Sequence, residues 1–104
     1  MNSTQAIIEA ILAVPAGRVA SYAQIATEAG IPRGARQVSR VLHSCSDRHD
    51  LPWWRIVRSS GEIALPPEAG GSLQKELLLG EGVLFRSTWV VDLNRCGDQP
   101  AKNI

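Results

Sequence analysis

The residue types that could carry chemistry are sparse in this chain. The obvious candidates are Cys45 and Cys96, His43 and His49, and the pair Ser59–Ser60. The two serines lie in no nucleophile-elbow pattern and have no paired base beside them. His43 and His49 stand near Cys45, so a Cys–His pair stays open, against the commoner reading of surface histidines on a helix end and its loop. No carboxylates are paired for acid–base work and the cysteines share no metal-ligand spacing, so no cofactor and no metal is expected. What is concentrated is positive charge. Arg33, Arg36, Arg40, His43, Arg48 and His49 fall within seventeen residues, whereas Glu62, Glu68, Glu76 and Glu81 lie elsewhere. A second unusual feature is L-P-W-W-R-I-V at residues 51–57, two adjacent tryptophans in a chain with three tryptophans, one tyrosine and one phenylalanine. Adjacent strand positions face opposite ways, so one core cannot easily bury both rings from a single extended segment.

The elements that must position these residues follow from periodicity and punctuation. At 104 residues, a single domain spanning 1–104 is expected, large enough to bury a modest core without metal or disulfide. Hydrophobic content of 44% and charged content of 20% are ordinary for a globular chain, and a net charge of +1 neither predicts nor excludes nucleic acid. No apolar run approaches the ~20 residues that span a bilayer. The N-terminus has an early Glu9 and no basic region, unlike a signal peptide, and two cysteines suit reduced thiols, so a cytoplasmic, bacterial-type location with the chromosome is expected.

Ile7, Ile8, Ile11 and Leu12 give a first helix over about 4–14. Ser21, with Gln24 three residues on, opens a second helix that should stop at Gly30. A third is expected from about Pro32 to Ser44, with Val38, Val41 and Leu42 buried and Arg33, Arg36, Arg40 and His43 on the outer face. A polar loop S-C-S-D-R-H-D should follow, then a strand W-W-R-I-V-R, a turn S-S-G and a second strand E-I-A-L. Ser72 is expected to cap a last helix, and the tail from Gly82 reads as strand-like pieces around a turn at 86–88. The expected class is α+β and mostly helical, a winged helix-turn-helix-like DNA-binding domain with a small β element. Two readings of the basic face stand open: a DNA-binding surface, or two packed helices with a solvated charged face. Gly34 and Ala35 favour the first, because small residues beside Arg36 let the backbone approach a groove.

Three stretches narrow the choice. V-P-A-G-R-V-A-S-Y-A-Q-I-A, G-I-P-R-G-A-R-Q-V-S-R-V-L and L-P-W-W-R-I-V-R-S-S-G, covering residues 4 to about 82, resemble the DNA-binding domain of the O6-alkylguanine-DNA alkyltransferases. In that family the third motif is Pro-Cys-His-Arg, and its cysteine accepts the alkyl group from damaged guanine. Here Trp53 stands at the cysteine position and Trp54 at the histidine position. Tryptophan has no nucleophilic atom to displace an alkyl group, and its indole N–H is only a donor. The chain is therefore similar to the alkyltransferase-like subfamily, in which tryptophan commonly replaces the acceptor and the lesion is bound but not repaired.

The resemblance implies a non-enzymatic binder of O6-alkylguanine in duplex DNA that hands the lesion to nucleotide excision repair proteins. It implies a monomer with no membrane partner. It also implies that the helix of Arg36 lies in the minor groove, with DNA contacts from Tyr22, Arg33, Gly34, Ala35, Arg36 and Ser39. Arg36 would fill the space of a flipped guanine, and Tyr22 would crowd the phosphate 3′ of the lesion. The implied lesion pocket comprises Tyr22, Pro52, Trp53, Arg55, Ser59 and Ser60, with Trp53 as a wall, Arg55 tying the pocket loop in place and Trp54 turned toward the core. Three departures stand out. Cys45 occupies the position of a hinge asparagine, the loop I-A-L-P-P-E-A-G-G lacks an arginine found in some relatives, and Glu81 matches a relay glutamate left with no Cys–His pair to serve. Two other functions remain to be weighed: a sequence-specific helix-turn-helix transcriptional regulator, and a residual transferase using Cys45 or Cys96.

Overall fold

A computed structural model describes residues 2–98. Helix α1 (Ser3–Leu12) is capped by Asn2, whose side chain accepts from the Gln5 amide at 2.8 Å. It buries Ile7, Ile8 and Ile11, the stripe its spacing requires. A two-residue strand β1 (Ala20–Ser21) leads directly into α2 (Tyr22–Glu28). Ser21 Oγ accepts from the Gln24 amide at 3.0 Å, so the expected cap forms. The reciprocal half of a capping box does not, because the Gln24 side-chain amide donates to Glu28 and to the Asp98 carbonyl. Gly30, at φ 84°, ends the helix as expected.

Helix α3 (Ala35–His49) differs from expectation at both ends. It starts later than Pro32, because residues 31–34 close a turn in which the Gly34 amide donates to the Ile31 carbonyl at 2.7 Å. It also runs through the segment expected to be a polar loop. Ser44 Oγ donates to the Arg40 carbonyl at 2.8 Å and Ser46 Oγ to the Leu42 carbonyl, so hydroxyls that usually compete with a helix are absorbed by it. Leu42 and Cys45 meanwhile pack on the core. The helix stops at Asp50, a left-handed residue at φ 51°.

The expected strand at residues 53–58 shrinks to β2 (Ile56–Val57), preceded by a 3-10 turn over Trp53–Arg55. A strand would send the two indoles to opposite faces of one ribbon. The turn instead sets them edge-to-face, with ring centres 5.9 Å apart and planes at 87°. E-I-A-L is not a strand either. Glu62 makes one bridge to Val90, Ile63 donates to the Trp89 carbonyl, and Pro66 and Pro67 then offer no amide to continue a ladder. Helix α4 (Gly71–Gly80) has Gly70 at its N-cap and no side-chain cap, so Ser72 lies inside the helix and does not start it. A methyl group on Gly71 would lie 2.4 Å from the Leu65 carbonyl oxygen, so the close return of the chain requires glycine there. The tail forms an antiparallel hairpin, β3 (Phe85–Ser87) with β4 (Val90–Val91), and a short helix α5 (Leu93–Cys96).

Strands β1 and β2 pair in parallel, Ala20 opposite Ile56 and Ser21 opposite Val57. Their neighbours alternate between two cores. Ala20 and Ile56 join Ile7, Ile11, Ile25, Val38 and Val41 between α1, α2 and α3. Val19 and Val57 join Ile63, Leu78, Val83 and Val91 beneath the hairpin and α4. The strand pair is the seam between the helix-turn-helix and the β element, and the 3-10 turn with Trp53 sits at its end.

Candidate nucleic-acid interface

The first feature is the basic end of α3. Val38 and Val41 bury its inner stripe against Ile25 and Ala26 of α2, which turns Arg33, Arg36, Ser39 and Arg40 outward into solvent. Among the described residues the ion pairs involve Arg55, Arg58 and Arg95, so Arg33, Arg36 and Arg40 have no carboxylate within 4.0 Å. No side chain caps the first turn of α3. Open amides, a positive helix end and unpaired guanidiniums together favour phosphate oxygens. Gly34 and Ala35 sit half-buried at this end. The reason for Gly34 is internal to the protein: a methyl there would lie 2.9 Å from the Ile31 carbonyl oxygen and 2.6 Å from Ile31 Cδ1.

The second feature is a cleft of about 380 Å³ beside that face. Helix α2 contributes Tyr22, and α3 contributes Ser39, Leu42, His43, Ser46 and Asp47. Trp53 stands on the 3-10 turn, Leu65, Ala69 and Gly70 come from the proline loop, and Leu73 and Gln74 from α4. Burial pushes the Tyr22 phenol above its usual value, and the positive charge of Arg58 partly offsets this. The phenol is therefore a neutral O–H, able to donate or accept. Gln74, 2% exposed, donates through its side-chain nitrogen to the carbonyls of Trp54 and Ile56, both at 3.0 Å, and so fixes the floor of the cleft to α4.

The third feature lies behind the cleft. Trp54 packs on the second core, and its indole N–H donates to Glu81 Oε2 at 2.9 Å. Arg55 donates from Nε and Nη2 to the same carboxylate, the shortest contact being 2.7 Å, and from Nη1 to the Val14 carbonyl at 2.9 Å. Its guanidinium lies 5.4 Å from the centre of the Trp54 ring. The Gly17 amide adds a fourth donor at 3.2 Å. The Arg55 hydrogen bonds hold the Glu81 carboxyl below the ordinary range. Burial opposes them, and Trp54 and Gly17 reinforce them.

The structure thus brings Tyr22, Ser39 and Trp53 together around one cleft and places Arg33, Gly34, Ala35 and Arg36 at the adjoining helix end. Four residues expected in the pocket lie outside its lining. Pro52 is buried, Arg55 is turned to Glu81 and Val14, and Ser59 and Ser60 are exposed after β2. Cys45 is not at a hinge: it lies within α3, touching Ser44 Oγ at 3.6 Å, with the chain reversing later at Asp50. Leu42, His43, Ser46 and Asp47 also line the cleft. Leu42 and His43 lie inside the expected helix, three and four residues from Ser39, and that spacing was the available signal; Ser46 and Asp47, one turn further on, fall in the segment expected to be a loop. Leu65 and Leu73 carried no such signal, since Leu73 falls off the buried stripe of α4, formed by Gly71, Gln74 and Leu78.

Comparison with known proteins fits this geometry. The family described as 6-O-methylguanine DNA methyltransferase, DNA binding domain, matches residues 2–83, and the chain belongs to that family. A DNA base-flipping protein of Escherichia coli is 39% identical over 93 residues, covering 88% of this chain and 70% of its own length. Alkyltransferase-like protein 1 of Schizosaccharomyces pombe is 35% identical over 83 residues, covering 79% and 77% respectively. In three dimensions the chain is similar to the S. pombe alkyltransferase-like protein in complex with damaged DNA containing O6-carboxymethylguanine. The TM-score is 0.84 at 29% identity, over 94% of this chain and 95% of that one. A Mycobacterium tuberculosis alkyltransferase in complex with DNA shares the fold at a TM-score of 0.60 and 24% identity, over 78% of this chain and 50% of its own. The mostly helical architecture with small sheets is therefore that of helix-turn-helix DNA-binding domains, and the relatives are base-flipping and alkyltransferase-like proteins.

Proposed function

We propose that this protein is a non-catalytic sensor of O6-alkylguanine in duplex DNA, which flips the damaged nucleotide and marks it for nucleotide excision repair. The observation that carries the reading is Trp53, half-buried in a cleft next to the basic end of α3; the resemblance of L-P-W-W-R to Pro-Cys-His-Arg supports it, by assigning Trp53 the acceptor position. In this reading α3 enters the minor groove and the unpaired Arg36 takes the place of the extruded base. Its planar guanidinium can stack there and hydrogen-bond the orphaned partner. Extrusion costs a few kcal/mol and least for a base whose pairing is already weakened, as O6-alkylation weakens it. Tyr22, neutral and part of the cleft lining, would contact a flipped nucleotide there.

Alkyl transfer is excluded by composition at this site. A transfer needs an attacking atom and a base to take its proton, and position 53 offers an indole with neither. The carboxylate of Glu81 is still engaged, by Trp54 and Arg55. An indole N–H that only donates cannot pass a proton onward, so the arrangement is a brace. The protein acts as a monomer on DNA, with the chromosome, and the later steps belong to excision-repair proteins.

The test is paired. Equilibrium binding is measured on two duplexes identical except for guanine or O6-methylguanine, with mass spectrometry of the protein afterwards. Tighter binding to the lesion with no mass gain on Cys45 or Cys96 is expected. Equal affinities would defeat the reading, affinity that follows base sequence would favour a transcriptional regulator, and a methyl on either cysteine would favour a residual transferase. Arg36→Ala should lower lesion affinity by roughly 1–3 kcal/mol, the range for an arginine directed at bases, with a smaller loss on undamaged DNA.

A further inference from the structure

Arg58 is a cation beside the cleft that does not belong to α3. Strands β1 and β2 pair in parallel with Ser21 opposite Val57, so the residues that follow, Tyr22 and Arg58, leave the seam side by side. Tyr22 lines the cleft, and the positive charge of Arg58 reaches its phenol. Arg58 also opens a tight turn. The Gly61 amide donates to the Arg58 carbonyl at 2.8 Å, and the Arg58 amide to the Glu62 carbonyl at 3.0 Å. The turn returns Glu62 to its side, with Oε1 4.0 Å from Arg58 Nε. Both residues border one shallow groove with Pro66, Pro67 and Trp89. The two side chains are 57% and 54% exposed, and an exposed pair at that separation contributes little to stability. Arg55 is the contrast: 16% exposed and fixed by Glu81 and the Val14 carbonyl. Arg58 is held loosely, by a single carboxylate.

Charge around the cleft gives this pair a use. The lining contains Asp47 and no lysine or arginine, so a DNA backbone passing the cleft has to be met by cations at its rim. Arg33, Arg36 and Arg40 are exposed on α3 and the turn before it. Arg58 comes from a separate element, next to Tyr22, and the exposed Ser59 and Ser60 follow it. Resting on the DNA-binding reading above, we infer that Arg58 holds a backbone phosphate beside Tyr22, and that Glu62 is a built-in competitor which this phosphate displaces. Nothing is lost from the fold in the exchange, because the turn is closed by backbone hydrogen bonds that do not involve either side chain. A phosphate contact carries no information about the base. The pair therefore sets how tightly any duplex is held, and discrimination stays with the cleft and the Arg36 helix.

The experiment titrates the whole protein with a plain duplex and with the same duplex carrying O6-methylguanine, over a series of salt concentrations. Arg58→Ala should weaken both alike and lower the slope of log affinity against log salt by about one, the loss of one phosphate contact. Arg58→Lys should keep the slope, which ties the effect to charge and not to the turn. Glu62→Gln should tighten both duplexes about two- to fivefold, the range of an exposed ion pair. That gain should disappear in the double variant Arg58→Ala/Glu62→Gln, because it acts through Arg58. Glu9→Gln, which removes an exposed charge from α1, should leave both affinities unchanged. An unaltered salt slope in Arg58→Ala overturns the phosphate contact. A gain from Glu62→Gln that survives without Arg58, or that Glu9→Gln reproduces, overturns the competitor. Equal binding of the two duplexes with the slope and the cycle as expected would defeat lesion sensing and leave this pair standing.

Discussion

Glu81 receives four separate donors, from Trp54, twice from Arg55 and from the Gly17 amide. It joins the Trp53–Arg55 turn to the chain after α1, and Arg55 extends the link to the Val14 carbonyl. Both members of the ion pair are 16% exposed, so the pair is shielded and removing one partner strands the other. Glu81→Gln should cost roughly 2–3 kcal/mol near neutral pH, read from urea denaturation. The pH dependence has a definite sign. The folded protein binds the Glu81 proton less readily than the unfolded chain does, because Arg55 and its companions favour the charged form. That contribution is complete above the ordinary carboxylate range and drains away as pH falls through the lowered native value. Wild type and Glu81→Gln should therefore converge in stability on acidification, and a gap that stayed constant with pH would contradict the assignment. Trp54 explains its own presence at this scale: a large apolar ring for the second core, with one polar atom that finds an acceptor.

Among the elements, α3 does most to set the interface, and its two ends make separate predictions. At the start, Gly34→Ala places a methyl 2.9 Å from the Ile31 carbonyl oxygen, a backbone atom that cannot step aside alone. A loss of roughly 1–3 kcal/mol is expected, with weaker DNA binding as the first turn of α3 shifts; thermal melts and a plain-duplex titration check both. At the far end Asp50 holds φ 51°. Asp50→Gly should gain about 0.5 kcal/mol and raise the melting temperature without changing DNA affinity. Much of α2 and α3 was legible in advance. The basic face and the apolar stripe of Val38 and Val41 on α3, and the Ser21 cap and Gly30 stop of α2, all follow from local rules. The length of α3 was not legible, because Ser44 and Ser46 usually oppose a helix and here donate back to Arg40 and Leu42. Nor was the 3-10 turn at Trp53: its geometry depends on Gln74, some twenty residues away, taking the Trp54 and Ile56 carbonyls. Tertiary hydrogen bonds leave no mark in a window of adjacent residues. For the same reason the motif placed Tyr22 and Trp53 near each other, while Leu65 and Leu73 became visible as cleft residues only in three dimensions.

For the molecule as a whole, Gln74 is the polar tie between the cleft floor and α4. Gln74→Leu keeps the approximate volume and leaves two backbone carbonyls without their donor. A cost of roughly 2–4 kcal/mol is expected from those two unsatisfied groups. Faster amide exchange in the segment around Trp53 should accompany it, and hydrogen exchange that left this segment as protected as in wild type would count against the tie. The β1–β2 seam has a consequence in time as well as in space. A parallel pair cannot be closed by a tight turn, so Ile56 and Val57 reach Ala20 and Ser21 only after α2 and α3 have been laid between them. On the ribosome the helix carrying Arg36 is therefore complete before the seam can form. Leu73 and Gln74, which finish the cleft, are added later still. The order of synthesis builds the basic helix end first and closes the cleft last.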